Sequence, residues 1–443
     1  MTPAKTICFG FLVVIALGAV CLSLPISTSN GSWSDFTTAL FTATSAVCVT
    51  GLSVVDVGKY YSLFGQIVLL LLLQIGGLGY MTTTTFLLLL IGRKFSLRDK
   101  LTLQQALDIP GIRGGINLVQ SIIATTLIIE ISGVFILWLG FAPEHGSDRG
   151  LWLAIFHSMS AFNNAGFSLF SDSLVGYKRS VLVNFTIAAL IILGGIGYQV
   201  LLECFLWLRS QLWRSRERII FSLNFRVAVS TTLVLLLAGT ILFRMSEANS
   251  EAFRDLNFWE KWLAAWFQSV TTRTAGFNTV DIGKLSMAGL FVTIAWMFVG
   301  ASPGGTGGGI KTTTARVLFA CTGSALQGEE EVRIYGRQIP HVLLVKAIGV
   351  AVGSLLTVIC ATILLSITDP QFRFIEILFE CTSAFGTVGL SMGITPQVST
   401  GGRLVLIVTM FIGRVGVMLL MAALMSAPKP KMVQYPEETL LVG

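Results

Sequence analysis

Four short stretches of this chain end in the same kind of tetrad, and their spacing restricts the fold more than any other feature. They read Val49-Thr50-Gly51-Leu52, Asn164-Ala165-Gly166-Phe167, Thr274-Ala275-Gly276-Phe277 and Thr387-Val388-Gly389-Leu390. Glycine follows glycine at 115, 110 and 113 residues, a period that points to one unit read four times. A bulky aromatic stands ten residues before each glycine, at Phe41, Phe156, Trp266 and Phe379, as expected of a short helix running into a loop. These segments are too short to cross a bilayer, which takes about 20 apolar residues, yet too apolar for ordinary external loops. They read as re-entrant. Backbone that leaves helical geometry at membrane depth must be buried in protein or line a watery cavity, so four such loops imply one shared cavity.

The sequence between them is built for lipid. Of 443 residues, 53% are hydrophobic and only 12% charged, against about a quarter charged in soluble domains. Eight apolar runs are long enough to span, at about residues 6–24, 63–92, 115–139, 181–208, 226–243, 287–300 with its continuation, 343–367 and 403–425. The first resembles a signal peptide, but no A-x-A site follows and the repeat needs it as a span. Two spans per unit, an even number, leave all four units in one orientation, so they surround an axis along the membrane normal instead of forming an inverted pair. The expected fold is an all-α polytopic membrane protein. It has four parallel helix/pore-loop/helix repeats around a pseudo-fourfold pore, with eight spanning helices and four re-entrant pore helices. The units fall at 1–109, 110–217, 218–338 and 339–426, and a polar tail at 427–443 is broken by Pro428, Pro430 and Pro436.

The net charge of +7 is a topology signal and does not call for nucleic acid. Basic residues gather in the connections 92–114, 209–226 and 311–346 and at Lys5, Lys429 and Lys431, which places those connections and both termini in the cytoplasm. The seven cysteines form no C-x-x-C and mostly sit in apolar runs, as small buried residues do. Three histidines, no G-x-S-x-G and no H-E-x-x-H leave no catalytic constellation, so no enzyme is expected.

A cation leaving water needs its hydration shell replaced, and rings of backbone carbonyls do this without fixed charge. The candidate filter is Val49, Thr50 and Gly51; Asn164, Ala165 and Gly166; Thr274, Ala275 and Gly276; Thr387, Val388 and Gly389. No Asp or Glu lies in a tetrad, which favours a monovalent cation over a divalent one. The alternative, helix-packing glycines, has to explain four in register. Each second span carries a small-residue patch: Gly76-Gly77-Leu78-Gly79, Gly194-Gly195-Ile196-Gly197, and Gly413-Arg414-Val415-Gly416. In the third unit the patch expands to GASPGGTGGGIKTTT, from Gly300 to Thr314. It nearly matches a phosphate loop, but Ile310 separates Gly309 from Lys311 and no buried strand precedes it. The candidate gate is Gly304, Gly305, Thr306, Gly307, Gly308 and Gly309, kept wettable by Ser302, Thr306 and Thr312. Arg414, costly at mid-membrane, either holds this loop beside the cation path or satisfies broken-helix carbonyls away from it. Apart from Arg414, no mid-membrane ionisable residue stands out. Lys311 reads as an interfacial cation. His157, Asn163, Asn164, Arg273, Glu376 and Glu380 are candidates to brace the loops. Asp56 and Asp281 either attract cations to the outer mouth or serve as solvated turns.

The tetrads, the SPGGTGGGIKTTT loop, FIGRVG at Phe411 to Gly416 and QIGGLG at Gln74 to Gly79 together resemble the membrane subunits of the Ktr potassium uptake systems, within the Trk/Ktr/HKT superfamily. The resemblance covers almost the whole chain, though the extra N-terminal spans of TrkH-type subunits are not seen. It implies potassium held at Gly51, Gly166, Gly276 and Gly389. Glycine at Gly51, where some HKT proteins carry serine, implies potassium over sodium as the main permeant ion. It further implies sodium stimulation, with Thr306 and its glycines as a gating loop partnered by Arg414. A homodimer on a cytosolic KtrA-like ring that binds ATP or ADP, with the tail near the dimer interface, would sit in lipid in a bacterial inner membrane. Nucleotide would bind the partner subunit only. The alternative is a potassium/sodium or potassium/proton symporter working by alternating access.

Overall fold

The computed structural model describes residues 3–79, 115–212, 220–329 and 331–424. The unit boundaries placed at 109/110 and 217/218, the basic connection 92–114 and the tail 427–443 lie outside the described residues. Among the described residues, four helices are long and apolar enough to cross a bilayer: α1 (Pro3–Ser23), α4 (Gly115–His145), α8 (Leu223–Ser246) and α12 (His341–Thr368). Each is followed by a short helix, α2 (Phe36–Val47), α5 (Ser147–Phe162), α9 (Phe258–Thr271) and α13 (Phe374–Gly386), then by a tetrad. Next come α3 (Leu63–Leu78), α6 (Val181–Gly195), α10 (Met287–Met297) and α14 (Thr400–Val415).

The first, second and fourth of these differ from the expected continuous spans, while the third breaks where the sequence places its glycine-rich stretch. α6 meets α7 (Tyr198–Leu212) at 106°, and α14 meets α15 (Val417–Leu424) at 97°. α10 gives way to the glycine-rich loop before α11 (Thr312–Gln327), and α3 ends at Gly79, beyond which the chain leaves the described residues. The cause is local. Gly79, Gly197 and Gly416 take φ of +79°, +96° and +87°, a left-handed conformation that ends a helix. Between α11 and α12 a small hairpin pairs Arg333–Ile334 with Arg337–Gln338.

The burial pattern is the reverse of a water-soluble domain. Ile128, Ile131 and Phe135 on α4, Val234 and Leu237 on α8, and Leu355 and Ile363 on α12 are exposed, while every tetrad's first residue is fully buried. Apolar outer faces on helices of this length suit a multi-pass membrane protein. Each short helix packs on the long helix before it, and each later helix packs on the next short helix: α3 on α5, α6 on α9, α10 on α13, and α14 back on α2. The series closes on itself. Phe41, Phe156 and Phe379 fill the cores at these junctions, but in the third short helix the fully buried ring is Phe267 and not the expected Trp266. There the packing register has slipped by one residue.

The sequence reading missed a recurring feature at the start of the later helices. Ser62, Ser180, Ser286 and Ser399 each stand at the N-cap, with their hydroxyls accepting from the N–H of Gly65, Val183, Gly289 and Gly402. Two of them are also held by a fully buried acid. Glu247 accepts from Ser286 N and Oγ, and Asp369 from Ser399 N at 2.7 Å and Oγ at 2.9 Å. Burial alone would raise the Asp369 carboxyl, but these bonds, with others from Thr368 and Gln371, hold it below the usual carboxylate range. Ser399→Ala removes the cap and is expected to lower stability by about 1 kcal/mol. Thermal unfolding in detergent should show this shift, with the exposed Thr322→Ala as an unshifted control.

Candidate functional site

The four tetrads share a backbone form that the sequence could not specify alone. The first residue of each is left-handed, with φ of +55° at Val49, +56° at Asn164, +65° at Thr274 and +51° at Thr387. The glycine is left-handed too, at +92°, +68°, +79° and +88°, and the residue between them is not. This alternation turns successive peptide groups toward one side. At a non-glycine residue it costs about 1–3 kcal/mol, and a β-branched valine is the least suited of all. The short helix supplies the compensation. Thr50 N donates to Ser45 O at 2.8 Å, Ala165 N to Ser160 O at 2.8 Å, Ala275 N to Thr271 O at 3.0 Å and Val388 N to Ser383 O at 2.8 Å.

The glycines also pack on one another in a cycle. A Cβ on Gly51 would lie 2.5 Å from Ala165 O, one on Gly166 2.8 Å from Ala275 O, and one on Gly276 2.5 Å from Val388 O. A Cβ on Gly389 would overlap Thr50 O, which returns to the first unit. Each loop therefore presents backbone oxygen where its neighbour has no side chain. Among the described residues no cluster of His, Cys, Asp or Glu suited to a metal forms.

Directly against the tetrads lies the segment from Gly300 to Thr312. Its backbone donors meet the carbonyls that the broken α6 leaves open: Ser302 N donates to Gly195 O at 2.9 Å and Thr306 N to Gly194 O at 3.0 Å. Tyr198 N, at the start of α7, donates to Gly304 O at 3.1 Å. Arg414 NH1 donates to Thr306 O, and NH2 donates to Gly76 O and, at 3.2 Å, to Gly77 O at the end of α3. One guanidinium thus joins the loop to the helix end of another unit. The loop's polar side chains are not wet as expected. Ser302 and Thr312 are fully buried with hydroxyls 2.8 Å apart, and Thr306 Oγ1 donates to Phe162 O at 3.2 Å. Their role is to tie the loop down, because backbone at this depth leaves no water to satisfy them. Lys311 also turns inward, its Nζ donating to Gly307 O at 2.8 Å.

The remaining candidates fall behind the loops. His157 Nε2 is 2.9 Å from Ser168 Oγ, and Glu380 accepts from Ser391 Oγ at 2.9 Å and from Thr395 Oγ1. Ser168 and Ser391 each stand two residues past a tetrad glycine. The Asn164 side-chain amide lies 3.3 Å from Thr274 Oγ1. Glu376 closes a capping box with Arg373. Arg273 is buried with no partner for Nε among the described atoms. Asp56 and Asp281 cap one-turn helices through Gly58 N and Gly283 N, which is the turn role.

One ionisable residue was overlooked. Glu130, in the middle of α4, is 3% exposed and accepts from Asn163 Nδ2 at 3.1 Å. Asn163 also donates to Gln74 Oε1 at 2.7 Å, so the short helix of the second unit is tied to the later helix of the first. The signal was present, since an acid inside an apolar run is itself a functional hint.

A profile of the TrkH family, described as cation transport protein, matches residues 11–435. The chain is 39% identical to the Ktr system potassium uptake protein B of Bacillus subtilis over 444 residues, which is 100% of this chain and 97% of that protein. It is 37% identical to the potassium/sodium uptake protein NtpJ of Enterococcus hirae, over 100% of this chain and 98% of that protein. The crystal structure of the potassium transporter TrkH from Vibrio parahaemolyticus has the same fold, with a TM-score of 0.72 at 19% identity, covering 94% of this chain and 85% of that one.

Arg414→Met keeps the stem and removes the donors, leaving the carbonyls of Thr306, Gly76 and Gly77 unpaired. The expected loss of stability is at least about 1–3 kcal/mol, the cost of a single buried group left without its partner. Thermal unfolding of the purified protein measures it.

Proposed function

We infer the function of this chain from its family: it belongs to the TrkH family of cation transport proteins, and we propose that it moves potassium across the membrane by a channel-like path. The closed cycle of tetrad glycines carries this reading. Four loops whose glycines abut the next loop's carbonyl can offer a dehydrated cation a ring of oxygens with no fixed charge, the arrangement that suits a monovalent ion. On this reading the four helix/loop/helix units surround a pseudo-fourfold pore. Its filter is formed by Val49 to Gly51, Asn164 to Gly166, Thr274 to Gly276 and Thr387 to Gly389, with potassium at the four glycines.

The gate is the loop Gly304 to Gly309. Three bonds from Arg414 hold it across the path, and its movement is controlled by a cytosolic nucleotide-binding subunit. The subunit's partner would be a second copy of itself, its membrane a bacterial inner membrane, its termini cytoplasmic and its transport sodium-stimulated. The relatives named for a Ktr uptake system and for potassium/sodium uptake support this assignment.

Glu130 keeps a second reading open. A symporter needs a second ion or proton site at mid-membrane, and a buried acid in the middle of a long helix, bonded to Asn163 beside the second tetrad, suits it. Uptake into liposomes under a potassium gradient alone separates the two, since a channel conducts and an obligatory symporter does not.

The primary test is potassium uptake by a transport-deficient cell expressing this chain with and without a regulatory subunit. Gly51→Ser is expected to crowd Ala165 O and lower discrimination between potassium and sodium. Unchanged selectivity would remove Gly51 from the filter. Arg414→Ala, or shortening of Gly304 to Gly309, is expected to raise flux without the regulator, and unchanged flux in both would remove the gate.

A further inference from the structure

The loop touches the filter itself as well as the helices around it. Gly308 N donates to Thr387 Oγ1 at 3.0 Å, with both groups buried. A Cβ on Gly308 would stand 2.5 Å from that oxygen, and one on Gly307 would overlap Thr274 Oγ1. The carbonyl of Gly307 is meanwhile held by Lys311, which fixes the peptide plane that carries the Gly308 N–H. Thr387 and Thr274 are first residues of their tetrads, in the left-handed conformation that costs free energy to maintain. Asn164 completes the contact through Thr274, while the first unit places apolar Val49 at the equivalent position. Three of the four strained residues are therefore braced by the loop or by each other, and the one bond from loop to tetrad goes to Thr387.

We propose that the intramembrane loop is a structural member of the filter, so that unseating it changes ion discrimination as well as flux, with Thr387 as the positioning residue that joins the two. This rests on the pore reading given above. When the loop leaves, Thr387 loses the donor that orients its hydroxyl, and its strained backbone has one fewer partner to hold it against relaxation. The ring of carbonyls one residue further on, from Val388 toward Gly276 and Gly389, then shifts. Filter and gate are two ends of one hydrogen-bonded unit.

The test uses the full chain and two variants on opposite sides of the contact. Gly308→Ala lies in the loop, outside every tetrad, and forces the loop off Thr387. Thr387→Val removes the hydroxyl at constant shape. Each is expected to raise basal cation flux into proteoliposomes and to lower the potassium-to-sodium flux ratio by about two- to tenfold, the shift that follows from loss of one hydrogen bond. Thr387→Ser keeps the hydroxyl and should restore both toward the unmodified values.

A Gly308→Ala chain with raised flux and an unchanged ratio, or a Thr387→Val chain with an altered ratio and unchanged flux, overturns the coupling. Hydrogen exchange over residues 300–314 gives a readout independent of transport. Thr387→Val should speed exchange at the loop, and an unchanged rate overturns the coupling even if the unmodified chain carries no cation. Absence of flux in the unmodified chain would instead overturn the transport reading.

Discussion

Irregular backbone at membrane depth must find its hydrogen-bond partners within the protein, and every unusual feature of this chain follows from that requirement. The breaks in the later helices expose carbonyls at Gly76, Gly77, Gly194 and Gly195. These are met by the guanidinium of Arg414 and by the N–H groups of Ser302 and Thr306. The loop in turn needs acceptors for its donors and donors for its acceptors, and the broken helices supply both. Neither break nor loop is stable alone. Each is the other's solvent.

The same requirement explains why the four units are alike in backbone and unlike in side chain. The tetrads adopt one conformation because four loops must close on one another, glycine against carbonyl. The loop lies against them once only, in the third unit, and the fourth unit carries Arg414, whose guanidinium joins the loop's Thr306 carbonyl to the end of α3 in the first unit. Replicating Arg414 in every unit would gather four positive charges in a low-dielectric space, where their mutual repulsion is large.

Much of this was legible in the chain. The period of the tetrads, the left-handed potential of their glycines and the position of the loop all follow from residue type and spacing. So does the membership of Arg414 in the site, since a charge at that depth must have a partner. The sequence misled where packing had the final word. Trp266 occupies the expected aromatic position, but the third short helix buries Phe267 instead. Ser302, Thr306 and Thr312 looked like hydrating groups and are instead internal ties. The first, second and fourth of the later helices read as continuous apolar spans, yet a left-handed glycine at Gly79, Gly197 and Gly416 bends or ends them. Glu130 stands in the sequence as an acid inside an apolar run, but its partner Asn163, itself bonded to Gln74, is brought to it only by the fold.

By itself the sequence determined that this is a multi-pass membrane protein with four short apolar segments, each ending in a glycine tetrad. Those features depend on hydropathy, length and the absence of a side chain, which are properties of single segments. The tertiary structure alone decided that the loops close in a cycle, that Arg414 bridges two units, and that Gly308 of the plug bonds Thr387 of a tetrad. Each of those contacts has a backbone atom on at least one side and joins segments tens to hundreds of residues apart. Backbone groups are the same in every residue, so sequence carries no mark of which carbonyl a given donor will meet.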